Sequence, residues 1–255
     1  MIYQMEYFIF SPLEQFEINV LFPLKISGLN FSITNSTFFL FFCSFILVLF
    51  LYFVSFQIKF IPNRWQSLLE NLFKFVINMV KDAAGLKGEP FVPFIFILFL
   101  FILICNLIGL VPYTFTVTSH IVFTFSLALM VFVGITIIGI KTHGINFLNA
   151  FLPKGTPVFI IPLLVVIEFI SYVIKVFTLS IRLFANMVSG HILLKIVVTF
   201  VWTMLSAGGL LAMFSCLPFM FLFVLLGLEL GVAILQAYVF TLLSCVYLRD
   251  VIELH

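Results

Sequence analysis

Charge is what this chain has least of: only 9% of its 255 residues are Asp, Glu, Lys or Arg, against about 25% in soluble domains. A water-soluble globule is excluded. No block of like charge occurs and the formal net charge is +2, so nothing suggests nucleic acid or a strongly acidic partner. The four cysteines, Cys43, Cys105, Cys216 and Cys245, all lie in apolar stretches. They form no C-x-x-C pair and have no His at metal-ligand spacing, so they are expected to be small core or lipid-facing residues, with no metal and no cofactor implied. A phosphate-cradling G-x-x-x-x-G-K-[ST] loop is also missing, and no bond-making chemistry is expected of this chain. The first residues carry Glu6 and no Lys or Arg, unlike the basic start of a secretory signal or a transit peptide.

What is present is apolar side chain, 64% of the residues, with 37 phenylalanines. Phe has AT-rich codons, and this bias points to an organellar or AT-rich bacterial genome. The apolar blocks are spread evenly, which predicts one membrane domain over 1–255, an all-α polytopic protein with the bilayer as its solvent.

The segment 36–57 is apolar without a charge, long enough to span a hydrocarbon core of about 30 Å. In 63–88, Trp65, Leu68, Leu69, Leu72, Phe73, Val76 and Val80 recur at helical spacing, with Arg64, Glu70, Lys74, Lys81 and Asp82 on other faces. That predicts an amphipathic helix lying in the membrane interface. Two further spans, 91–111 and 121–140, form a hairpin whose turn is marked by Pro112 and Tyr113. Lys59, Arg64, Lys74, Lys81, Lys87, Lys141 and Lys154 fall on the side where the first span ends, whereas Glu6, Glu14 and Glu17 stand before it against Lys25. The basic side is therefore expected to be cytoplasm or matrix, with the N-terminus outside.

Segments 157–201 and 210–248 are each roughly 40 residues, or about 60 Å as helix, twice the hydrocarbon thickness. They are expected to be steeply tilted and separated near Gly208 and Gly209. A charge inside a membrane helix costs about 2.5 to 3.5 kcal/mol on insertion scales and marks a pathway or a partner. Glu168, Lys175 and Arg182 are spaced by seven and share a helix face with Ser171, Asn186 and Ser189; Glu229 and Gln236 repeat the spacing in the last segment. Folding back at Gly208 with equal counts sets Arg182 opposite Gln236, His191 near Glu229, and Glu168 toward Arg249 and Asp250. Carboxylate and imidazole exchange protons, whereas arginine keeps its charge. Arg182 is thus a fixed cation between two proton-accessible clusters. It repels a leaking proton and attracts a carboxylate on a partner, by roughly 4 kcal/mol at about 4 Å and an effective dielectric of 20. The bland alternatives are snorkelling lysines at 175 and 195, a Glu168–Lys175 pair near a surface, and a merely packed His191.

The stretch Ser180-Ile-Arg-Leu-Phe-Ala-Asn-Met-Val-Ser-Gly-His191 closely resembles the signature of the subunit a family of F-type ATP synthases. The likeness extends to Ser11-Pro-Leu-Glu-Gln-Phe16, to Asn106-Leu-Ile-Gly-Leu-Val-Pro-Tyr113, to Glu168 fourteen before Arg182, and to Glu229, Gln236 and Tyr238. His after the arginine motif with Glu in the last helix resembles the mitochondrial form, of the inner membrane. The resemblance implies a proton-translocating stator of the F0 sector, holding two half-channels against a rotating c-ring of carboxylate-bearing subunits beside the peripheral stalk. It implies that Arg182 faces the ring carboxylate, that His191 and Glu229 belong to the channel from the intermembrane space, and that Glu168 and Asp250 belong to the matrix channel. Asn106, Asn186 and Gln236 would line the path or position the arginine. Lys175 departs from the arginine expected there in many relatives, and the two cations differ in geometry and hydration. The rival classes are a secondary proton-coupled transporter, for which no internal repeat is found, and a structural subunit of a respiratory complex.

Overall fold

A computed structural model describes residues 13–23, 25–26, 29–30, 32–56, 59–111, 114–144 and 161–252. The Pro112–Tyr113 turn, the start of the motif at Ser11, Lys154 and the expected helix start at 157 lie outside the described residues.

A short 3-10 turn, Glu14–Phe16, leads into four small strands, β1 (Val20–Phe22), β2 (Lys25–Ile26), β3 (Leu29–Asn30) and β4 (Ile33–Thr34). β1 pairs antiparallel with β4, and β2 with β3. The first long helix, α1 (Asn35–Phe56), follows directly. Asn35 fastens the N-terminal segment to it: its Nδ2 donates to the Glu17 carbonyl at 3.0 Å and its Oδ1 accepts from the Asn19 N–H at 3.2 Å. The Thr34 hydroxyl accepts from the Thr37 N–H, satisfying one of the free donors of the first turn. Residues 13–19 are thereby held over the entrance end of α1.

Helix α2 (Arg64–Ala84) buries Gln66, Val76, Met79, Val80 and Ala84 and leaves Trp65, Leu68 and Phe73 exposed. It is shorter than the expected 63–88. Gly85, at φ 68°, ends it, and a 3-10 turn over Leu86–Phe91 carries the chain into α3 (Val92–Gly109). Pro93 stands in the first turn of α3, where a missing N–H costs nothing. A second 3-10 turn, Val117–Ser119, precedes α4 (Ile121–His143).

The chain then forms α5 (Ile161–Ala207), 47 residues long, which continues beyond the expected end at 201. Two left-handed glycines, Gly208 at φ 70° and Gly209 at φ 60°, turn it, conformations that L side chains rarely adopt. The expected single helix over 210–248 is two helices, α6 (Gly209–Phe214) and α7 (Cys216–Ile252). The cause is Pro218, which has no N–H and whose ring crowds the carbonyl four residues back, at Phe214.

The fold is all-α and polytopic: α1, the segment Leu86–Gly109, α4, α5 and the segment Gly209–Ile252 are each long and apolar enough to cross a membrane. Helix α7 is the hub, packed against α5, α3, α2 and α4. Small residues make this approach possible, since Ala128 of α4 and Ala233 and Ala237 of α7 are fully buried. Phe240, Leu183, Ile95, Leu100 and Val76 fill the space around them. The outward faces of α5 and α7 are apolar and exposed, with Phe169, Ile174, Phe177 and Ile181 on one and Leu228, Leu230 and Leu235 on the other. A protein whose solvent is lipid has no reason to hide them.

Candidate functional site

The site is the seam where α5 runs antiparallel to α7. Its middle holds an amide pair, with Asn186 Nδ2 donating to Gln236 Oε1 at 2.7 Å. Toward the Gly208 turn, His191 Nδ1 stands 3.6 Å from Glu229 Oε1. Toward the other end, Lys175 Nζ donates to Asp250 Oδ2 at 3.0 Å and lies 5.0 Å from the centre of the Tyr247 ring.

Glu229 is only 5% exposed, and neither of its oxygens has a hydrogen-bond partner among the described residues; the same holds for His191 Nε2. A buried carboxyl left so open is an energetic cost that a purely structural residue would avoid. The 3.6 Å gap to His191 is just beyond a direct hydrogen bond, the spacing at which a small rotamer change or one bridging water connects the two groups. Gly190 creates the room: a Cβ there would stand 2.8 Å from Glu229 Oε1 and 3.1 Å from its Cδ. A cavity of about 200 Å³ opens beside the pair, walled by Asn186, Ser189, Gly190, Leu193, Glu229 and Val232 among others. A second buried amide closes the site from the hairpin, because Asn106 Nδ2 donates to the Ala233 carbonyl at 3.2 Å while its Oδ1 has no partner.

Arg182 stands one turn from Asn186 on α5, with its side chain exposed. Among the described residues no carboxylate or hydrogen-bond acceptor pairs with it. Glu168 is likewise exposed near the start of α5.

The expected partners therefore need adjustment. His191 does meet Glu229. Gln236 meets Asn186 and not Arg182, and Asp250 is held by Lys175, one heptad from the expected Glu168, which joins no ion pair among the described residues. The counts were taken from Gly208 along one unbroken helix, but α6 and the break before α7 insert chain between the turn and the second limb, so every partner lies further along α7. Two contributors escaped the sequence reading. Gly190 had a signal, a glycine inside a helix that costs stability unless packing requires it. His120, which stacks on Phe115 at 5.0 Å, had none, being one polar residue in a loop. Among the described residues no three His, Cys, Asp or Glu side chains gather as metal ligands.

A polytopic helical fold with unpaired ionisable groups along an interior helix seam defines an ion-conducting membrane subunit. Residues 37–249 match the family model described as ATP synthase A chain. Among curated proteins, the chain is 58% identical to ATP synthase subunit a of Chondrus crispus over 99% of this chain and 100% of that protein. It is 49% identical to ATP synthase subunit a of Marchantia polymorpha, covering 96% and 99%, and 47% identical to that of Brassica napus, covering 96% and 97%. The chain belongs to the ATP synthase subunit a family, the proton-translocating stator of the F0 sector.

Proposed function

We propose that this chain conducts protons through two half-channels to and from the carboxylates of a rotating c-ring, with Arg182 as the barrier between them. The observation that carries this is the isolation of Arg182: a permanent cation, exposed on an apolar helix and lacking an acid among the described residues. In hydrocarbon such a charge requires a counter-charge from outside the chain. A ring carboxylate arriving deprotonated supplies it, and the same cation repels a proton crossing without the ring.

His191 and Glu229, with the cavity beside them, form the proton-exchanging cluster of the half-channel from the intermembrane space. Glu168 and Asp250 belong to the matrix half-channel, with Lys175 holding Asp250 on the α7 side. Asn186, Gln236 and Asn106 are the polar links between the clusters. Helices of 47 and 37 residues, about 70 and 55 Å long, remain in a core of about 30 Å only when steeply tilted, and so follow the curved flank of the ring. The protein resides in the mitochondrial inner membrane with its N-terminus toward the intermembrane space, α2 at the matrix interface, and the peripheral stalk and other F0 subunits around it. It makes and breaks no covalent bond of ATP.

The test is ATP-driven proton pumping by vesicles carrying Arg182→Ala, with assembly verified on a native gel. Pumping is lost while assembly persists. Undiminished pumping with normal assembly would show that Arg182 is structural and reject the function proposed.

A further inference from the structure

A second cavity lies away from the α5–α7 seam. It has a volume of about 230 Å³ and lies between the beginnings of α1 and α4, walled by Ser36, Thr37, Ser126, His120, Ile18 and Phe123 among others. No Asp, Glu, Lys or Arg lines it. The Thr37 and Ser126 hydroxyls spend their protons on the Thr34 and Phe123 carbonyls, which leaves acceptor lone pairs toward the cavity. His120 Nε2 is buried without a hydrogen-bond partner, and so is the hydroxyl of Thr118 in the adjoining 3-10 turn. The imidazole is fixed against Phe115, with the rings only 18° from parallel. An apolar void stays dry, but a space of this size with four polar walls and an unsatisfied ring nitrogen holds several waters, each needing about 30 Å³ and two to four partners.

Its position gives such water a use. The N-terminal segment that contributes Ile18 to this cavity places Phe16 edge-on against His191, with ring centroids 6.4 Å apart. Residues 16–18 therefore bridge the mouth of this cavity and the His191–Glu229 pair, and the hydrogen bonds of Asn35 hold that bridge in place.

We propose that the cavity between α1 and α4 is a hydrated entry vestibule that collects protons on the N-terminal face and delivers them to His191 along the underside of residues 16–18, with His120 anchoring its water. The proposal rests on the proton-conducting reading of the seam. It assigns a role to the first span and the hairpin loop, which that reading leaves as scaffold.

The experiment uses the assembled ATP synthase in vesicles, with the four native cysteines replaced by serine and Ser126→Cys introduced. A membrane-impermeant cationic thiosulfonate is applied to one face or the other. Labelling occurs from the face bearing the N-terminus only, and the attached charge slows pumping about tenfold relative to the same vesicles before labelling, the effect of about 1.4 kcal/mol on a barrier. Thr37→Cys on the opposite wall reports the same way and stands in if Ser126→Cys fails to assemble. No labelling at either position, or labelling that leaves pumping unchanged, overturns the vestibule. A silent label together with a dead Arg182→Ala rejects the vestibule alone, whereas active Arg182→Ala vesicles reject the function on which it depends.

Discussion

Gly190 of α5 and Glu229 of α7 are in such close approach that a methyl group on the glycine would stand 2.8 Å from the carboxylate oxygen and 3.3 Å from Cγ. The carboxylate end alone cannot swing clear, because Cδ and Cγ are crowded as well. Gly190→Ala is expected to displace the carboxyl from His191 and to lower proton pumping several-fold with assembly retained. Gly190→Val adds enough volume to part the helices, at about 1 to 3 kcal/mol of overpacking. Pumping assays and thermal denaturation of the purified complex separate the two effects; wild-type pumping in Gly190→Ala would show that the carboxyl's position is unimportant.

The 2.7 Å bond between Asn186 and Gln236 ties α5 to α7 at the level of the arginine. A double-mutant cycle with Asn186→Ala and Gln236→Ala is expected to give a coupling energy between about 0.5 and 3 kcal/mol. The Gln236→Ala single variant leaves Asn186 without its acceptor and should pump more slowly than wild type. Strict additivity in denaturation of the complex would mean that the bond contributes nothing.

Lys175 and Asp250 form a 3.0 Å pair with side chains 33% and 47% exposed within the chain. An ion pair so open to a polar medium contributes about 0 to 1 kcal/mol. Lys175→Met should therefore leave the melting temperature almost unchanged, and any loss of pumping in that variant belongs to the proton path. Lys175→Arg keeps the charge over the Tyr247 ring and is expected to retain most activity. A large drop in melting temperature for Lys175→Met would contradict this assignment.

Burial lowers the imidazole of His120 from its ordinary value of 6.5. The folded protein then resists a proton that the unfolded chain accepts, so the group's contribution is intact above 6.5 and is lost as the pH falls below it. No acid or base lines the adjoining cavity to offset this. His120→Gln should flatten the fall in thermal stability between about pH 6.5 and 5. An unchanged acid limb in the variant would show that other groups set it.

Much of the fold was legible because a membrane chain states its solvent openly. Uncharged runs such as 36–57 can be little but spanning helix, and the glycines at 208 and 209 mark a turn wherever they fall. The seven-residue spacing of Glu168, Lys175 and Arg182 places them on one face by helical geometry alone. The partners across the seam were less accessible. One proline displaced the second limb and moved Asp250 from Glu168 to Lys175, an outcome that depends on how α6 closes the turn.

The sequence by itself determined that the protein lives in a bilayer, how many apolar helices it offers, which helix face is polar, and to which family it belongs. These follow from composition, periodicity and motif, all local properties of the chain. Only the tertiary structure decided that Gly190 yields its space to Glu229, that Gln236 bonds Asn186, and that the N-terminal segment joins His191 to a distant polar cavity. Those relations depend on the register and separation of helices far apart in the chain, which are set by packing volumes that no local pattern records.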